Sequence, residues 1–266
     1  MKTLIASVLI LASSNVFAHD SSFSNDSCNV ELNGGVRVTQ SEIEFFKADQ
    51  PLYKIVNDDA LIISGNQISL SPSQQSLVNE YSTSIRAMIP EVKEIAIEGI
   101  ELATDGVNLA FNELLGEGNA VGAELTGHLA DIKNEVDIRF SQNKAFHINE
   151  EGFAGAEFFG ENFEERIEKA VESTMEKSIG TLMIAIGQEM LFSDGNMDAF
   201  ETRMKNFGKQ IEHEMESRGE ELEKRAESLC IAVLEIDNLE EQLNFQIEEL
   251  ANFDIIEASL RKRDEI

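Results

Sequence analysis

The sequence predicts a mostly helical α+β protein: a small N-terminal antiparallel β-meander packed on long amphipathic helices that form a bundle or coiled-coil-like hairpin. Three observations predict it. Short β-branched runs broken by Asn, Asp and Gly fill Cys28 to Leu70. At Ser71-Pro72 the texture changes to helical periodicity. Toward the C-terminus Leu222, Leu229, Ile236, Leu243 and Leu250 stand seven residues apart.

The first element is an export signal. Lys2 supplies a positive start, Leu4 to Ala12 an uncharged apolar stretch, and Val16-Phe17-Ala18 compact side chains at a cleavage site. Residues 1–18 therefore read as a signal peptide, cleaved after Ala18. The apolar stretch falls well short of the roughly 20 residues that a membrane-crossing helix needs. No later segment is long and apolar enough either, so the chain is expected not to span a membrane. Asn25-Asp26-Ser27, rather than an apolar core, precedes Cys28, which argues against a lipid-anchored protein.

Residues 19–27 are polar and expected to be disordered. In the β region, Val30, Leu32, Val36 and Val38 recur at even positions around Gly34-Gly35. Ile43 to Phe46, Leu52 to Val56, Ala60 to Ile63 and Gln67 to Leu70 follow, with Asn57-Asp58-Asp59 and Ser64-Gly65-Asn66 as turns. Period-two alternation between such turns signals hairpins.

A helix is expected from Ser71, with Ser71 as N-cap, Pro72 at the first helical position and Gln74 closing a capping box. Leu77, Tyr81, Ile85 and Ile89 carry its apolar face as far as Pro90, which should end or kink it. A second helical run covers Glu91 to Leu115, and after Gly116, Gly118 and Gly122 a third covers about 123–141, with Leu125, Leu129, Ile132 and Val136 on one face. Ala145 to Ile148 is short enough for a lone strand that adds to the N-terminal sheet. A packed loop around Gly152, Gly155 and Gly160 leads to an amphipathic helix through Phe163, Ile167, Ile179 and Ile186. From about Met197 to Arg263 the heptad stripe continues, with Ala232, Leu239, Phe253 and Leu260 at complementary positions and Arg225 and Gln246 interrupting. Burial inside an intramolecular bundle explains that stripe better than a homo-oligomer formed through the C-terminal helices. The organisation expected is thus a signal peptide (1–18), a β region (19–70) and a helical region (71–266) integrated with it in one domain.

Cys28 and Cys230 are the only cysteines. In an oxidising compartment an even pair reads as a disulfide, closing a loop of about 200 residues, with two free thiols as the alternative. No CxxC motif is present, so disulfide exchange is not the task. Acidic residues number 50 against 21 basic ones, a net charge of −29. Such a surface repels phosphate backbones, which disfavours nucleic acid, and attracts basic partners or divalent cations; the plainer reading is a solvated coat. With no Trp and two Tyr, an aromatic-lined sugar site is disfavoured, and the 16 Phe supply core.

The chemical motifs mostly fail. His213-Glu214 lacks the second histidine of a zinc protease, since Ser217 stands there. Asp194-Gly195-Asn196-Met197-Asp198 opens like a calcium loop, but Ala199 and Lys205 replace the required Gly and Glu, leaving an ordinary turn. His19, His128, His147 and His213 lie far apart and read as structural. No nucleophile elbow, phosphate loop or dinucleotide fingerprint occurs. The pairs Glu164-Glu165, Glu220-Glu221, Glu240-Glu241 and Glu248-Glu249 read as solvated helix faces. No catalytic, cofactor-binding or metal-ligating residue is therefore singled out, and no cofactor is expected.

One combination is more specific. A signal peptide and a lone cysteine precede the β stretch Ala60 to Leu70, Ser71-Pro72-Ser73-Gln74-Gln75 and the helix Tyr81 to Pro90. The Phe146-His147 strand and a second cysteine in the C-terminal helix follow. This order resembles the YggN-like family of uncharacterised periplasmic proteins, a domain of unknown function. The resemblance implies a Gram-negative periplasm and a paired Cys28–Cys230, and it brings no activity; the acidic stretch beyond Cys230 is longer than the family pattern. The resulting expectation is a soluble periplasmic protein of non-enzymatic character that binds an unidentified envelope protein or component. The alternatives are a hydrolase whose carboxylates and histidines converge only in the fold, and a divalent-cation binder.

Overall fold

The computed structural model describes residues 22–24, 28–141, 145–149 and 197–261, with isolated helical positions between 168 and 184. The expected signal peptide, the loop expected around Gly152, Gly155 and Gly160 and the turn expected at Asp194-Gly195-Asn196 lie outside the described residues, as does most of the helix expected through Phe163 and Ile186.

Tight turns set the β register. Ala48-Asp49 (φ 46° and 61°) and Ser64-Gly65 (φ 49° and 80°) are two-residue loops, a geometry whose twist matches the strands it joins. Asn57 and Asp58 turn the hairpin between them at φ 52° and 60°, which Asn and Asp tolerate better than other side chains. These loops link β4 (Glu42–Lys47), β5 (Gln50–Val56), β6 (Ala60–Ile63) and β7 (Asn66–Gln67) into an antiparallel sheet. β3 (Gly35–Val38) lies on the far side of β4, and β8 (Phe146–Ile148) closes that edge by pairing with β3, as the lone-strand reading expected.

The meander does not include the first expected strand. β2 (Cys28–Leu32) instead joins a second, three-stranded sheet between β1 (Ser22–Ser24) and β9 (Ile256–Leu260). The chain changes sheets at Asn33-Gly34, where the Asn33 N–H donates to the Ile255 carbonyl at 2.9 Å. A side chain at Gly34 would sit 2.7 Å from the Phe46 carbonyl oxygen, so only glycine lets the chain cross there. β1 also corrects the expectation of disorder over 19–27: three of those residues pair with β2.

Three long helices follow among the described residues. α1 (Pro72–Leu115) opens on the expected capping box, with Ser71 and Gln74 exchanging both hydrogen bonds. It neither ends nor divides at Pro90. Pro90 is exposed, so water can hydrate the Arg86 carbonyl that loses its helical donor. α2 (Ala120–Arg139) folds back on α1 after the Gly116–Asn119 loop, fixed by Lys93–Asp137 and Lys133–Glu101 ion pairs at 2.8 and 2.7 Å. Val136 and Phe140 fill the small core between them with Ile89, Val92 and Ile100. α3 (Met197–Gln246) is about 75 Å long at 1.5 Å per residue. It runs antiparallel to α1, as its contacts show: Gln246 meets Gln74, Glu240 meets Tyr81, Arg225 meets Glu94 and Glu98, and Arg218 meets Asp105.

The C-terminal helix expected as far as Arg263 stops at Gln246. A 3₁₀ turn at Glu248–Leu250 follows, the Asn244 amide donates to the Phe253 carbonyl at 2.6 Å, and the chain reverses into β9. Leu250 is buried, though by the turn rather than by a helix, and Leu260 is exposed on β9. The main core lies where both β layers meet the start of α1 and the end of α3. Val36, Ile43, Phe45, Ile55 and Leu61 pack there against Val78, Tyr81, Ile236, Leu243 and Ile255.

Candidate functional site

Glu240 sits at the centre of that core, 1% exposed. α3 carries it between Ile236 and Leu243, on the apolar face. The Tyr81 and Tyr53 hydroxyls, from α1 and β5, donate to its Oε1 at 2.8 and 3.4 Å. The Ile256 and Ile255 backbone N–H groups donate to Oε2 at 2.8 and 3.0 Å. Burial penalises the charged carboxylate and pushes its pKa up to about 7, against the hydrogen bonds from Ile256, Tyr81 and Ile255, with Asp254 adding to the rise. Burial likewise raises both tyrosines well above their ordinary value, and the Glu240 charge reinforces it.

Chemically, this cluster is a clamp. Both carboxylate oxygens are fully engaged by protein donors, and Tyr53, Tyr81, Ile255 and Ile256 are all buried, so the carboxyl faces no space for a reacting group. It ties α3, α1, β5 and the entry to β9 together. One turn earlier, Asp237 accepts from the Ala258 N–H at 3.2 Å, so two α3 carboxylates satisfy the outward edge of β9. Partial burial raises Asp237 as well, opposed by the Ala258 N–H. Cys28 on β2 and Cys230 on α3 lie at disulfide-bonding distance, Cα atoms 6.3 Å apart, and fasten the same sheet to the same helix.

A second polar cluster docks the hairpin turns on α1. Asp58 accepts from the Ser82 hydroxyl and, at 2.7 Å, from Arg86 Nε, while Arg86 also donates to the Thr39 carbonyl. Burial works to raise Asp58, but Ser82 and Arg86 outweigh it and hold the carboxyl below its ordinary value. This too is structural.

A cleft of about 460 Å³ opens between α1 and α3. Ile236 lies deepest, and Met88, Leu229, Ala232 and Ser84 are half-buried around it. Ala87, Glu91, Ser228 and Glu235 are exposed at its mouth. The space exists because four lining residues are Ala or Ser, where larger side chains would bring the helices into full contact. At one end Arg225 pairs with Glu94 at 2.7 Å, with Glu98, and with Glu91 at 3.8 Å. The Glu94 hydrogen bond, with the Glu98 charge, raises the guanidinium pKa further.

Among the described residues the histidines do not converge on this cleft. His128 is on α2, His213 is exposed on α3, and His147 is on β8 with its ring centroid 4.9 Å from that of Phe46. Among the described residues no group of three metal-ligating side chains comes together, and no helix is long and apolar enough to cross a membrane. Glu220, Glu221, Glu241, Glu248 and Glu249 are exposed, as solvated faces should be; Glu164-Glu165 lies outside the described residues. Glu240 overturns the same reading. Its signal was present in the sequence, since an acid four residues after Ile236 and three before Leu243 falls inside the apolar stripe.

A family model described as a protein of unknown function (DUF2884) matches residues 28–256. No curated protein and no solved structure matches the chain.

Proposed function

The chain belongs to the DUF2884 family of proteins of unknown function, and from that premise we propose an exported, non-enzymatic binding protein of the cell envelope that holds a segment of a protein partner in the α1–α3 cleft. The cleft itself carries this reading: it is apolar inside, open along two helices and charged at its mouth. Ligand pockets have that distribution, at volumes of about 300–1,000 Å³. Glu240, the one buried acid among the described residues, is instead saturated by protein donors. Export is supported by the residue 1–18 pattern and by two cysteines placed to bond. Finding His19 at the N-terminus of protein recovered from a periplasmic fraction would establish the compartment. Binding is tested by placing a photo-crosslinking residue at Ser228, in the cleft mouth, and at Gln242, exposed on α3. A defined partner peptide should be captured from position 228, not from 242, and lost when Ala232→Trp fills the cleft. Equal capture from both positions would defeat the proposal.

A further inference from the structure

The geometry points to a basic amphipathic helix as the segment that this cleft takes. The inference rests on the binding function proposed above and adds the chemistry of the partner. Shape is the first argument. The cleft follows α1 from Ser84 to Glu91, about two turns, and α3 from Arg225 to Ile236, about three turns. A furrow between two antiparallel helices is the seat into which a third helix packs, its side chains entering at i, i+3, i+4 and i+7. Ala87 and Ala232 leave room for close approach, and Met88, Leu229 and Ile236 supply the apolar contact. Met88 is also adaptable, which suits a surface that must fit an incoming side chain.

Charge is the second argument. Glu91 on α1 and Glu235 on α3 stand exposed at the mouth, one from each wall. The single Arg225 guanidinium is shared among Glu94, Glu98 and, at 3.8 Å, Glu91, and three carboxylates around one cation leave that end of the mouth negative. The whole chain carries −29, which disfavours an acidic partner and a second copy alike. A helix with Lys or Arg flanking its apolar stripe would meet carboxylates on both sides, speeding encounter and fixing its register.

Two labelled helical peptides with identical apolar faces test this, one with Lys and Arg on its polar face and one with Glu, titrated by fluorescence anisotropy against the full chain. The basic peptide should bind at least about tenfold more tightly, and the preference should shrink severalfold in high salt or in Glu91→Gln/Glu235→Gln. Ala232→Trp, checked for a native circular dichroism spectrum and urea midpoint, should abolish binding. If both peptides bind equally and Ala232→Trp blocks both, the partner chemistry is wrong while the binding function stands. If neither binds, both are wrong. Basic binding that ignores Ala232→Trp is surface attraction elsewhere, and self-association that Ala232→Trp removes gives the cleft to a second copy; either result overturns the inference.

Discussion

Raising the pH should weaken the fold through Glu240, and Glu240→Gln should remove that weakening. The folded-state pKa is pushed up to about 7 from an ordinary 4.5. A carboxyl raised by folding binds its proton more tightly in the native state. Its contribution is therefore fully present below pH 4.5 and is lost as pH climbs through about 7. Each tenfold gain in proton affinity is worth about 1.4 kcal/mol, so the loss comes to about 3 kcal/mol. Gln keeps the shape and stays neutral. Its carbonyl can accept from the Ile255 and Ile256 N–H groups, with its amide turned to the two tyrosines. The assay is urea unfolding at a series of pH values, followed by tyrosine fluorescence. Tyr53 and Tyr81 are the only tyrosines and there is no Trp, so the signal arises at this cluster. Other carboxyls titrate too, which is why the quantity to follow is the stability difference between the two proteins. Between about pH 4 and pH 8 it should move by about 3 kcal/mol in favour of Gln. A difference that stays flat over that range would refute the reasoning.

Three further outcomes are expected. Reducing Cys28–Cys230, whose positions are 202 residues apart, should lower stability by up to about 5 kcal/mol, read as a shift in urea midpoint; alkylation of both thiols without reductant would show that they are not bonded. Gly35→Ala should cost about 1–3 kcal/mol in the same assay, because the new methyl would meet the Phe46 ring and lie 2.9 Å from the Ile148 carbonyl oxygen; unchanged stability would mean that β3 and β8 do not pack this closely. Asp58→Ala should cost about 1–3 kcal/mol by leaving Ser82 and Arg86 without their acceptor, and Asp58→Asn less, since Asn accepts at the same place and tolerates φ 60°. Equal losses for the two would place the cost elsewhere.

The sequence made local features legible and left distant partners obscure. Ser71 and Gln74 announce a helix start because capping is completed within four residues, and Asn57-Asp58 and Ser64-Gly65 announce turns because their backbone needs positive φ. The lone Phe146 strand was legible from its length, and its pairing with β3 follows because β4 covers only one edge of that strand. β9 was hidden. No Gly or Pro stands between Gln246 and Leu260, and the heptad spacing runs on past the end of α3, so only Asn252 and Asp254 mark the reversal locally. Of the two outcomes expected at Pro90, an end or a kink, the end does not occur: α1 runs on through the proline with α2 and α3 packed along it. The clamp and the cleft were the hardest to see. Tyr53, Tyr81 and Glu240 are separated by up to 187 residues, and the cleft depends on small residues of two helices falling at the same level.

The faces of α3 explain why stability and binding should be separable in this molecule. Cys230, Asp237 and Glu240 point to the three-stranded sheet and meet β2 and β9 through a sulfur pair at disulfide-bonding distance and three backbone N–H contacts. Val233, Ile236 and Leu243 enter the core, with Ile236 also forming the bottom of the cleft. Ser228, Ala232 and Glu235 take no part in either set of contacts and line the open side. The cysteine pair and the carboxyl clamp therefore lie off the face offered to a partner, and Arg225, ion-paired to α1, stands at one end of that face. A substitution such as Ala232→Trp changes what the cleft admits without touching the cysteine pair or the carboxyl clamp, so lost binding with an unchanged circular dichroism spectrum and urea midpoint reports on the site and not on the fold. The reverse holds for Glu240→Gln, which alters the clamp from the buried side. Only Ile236 belongs to both sets, and changes there are expected to move stability and affinity together.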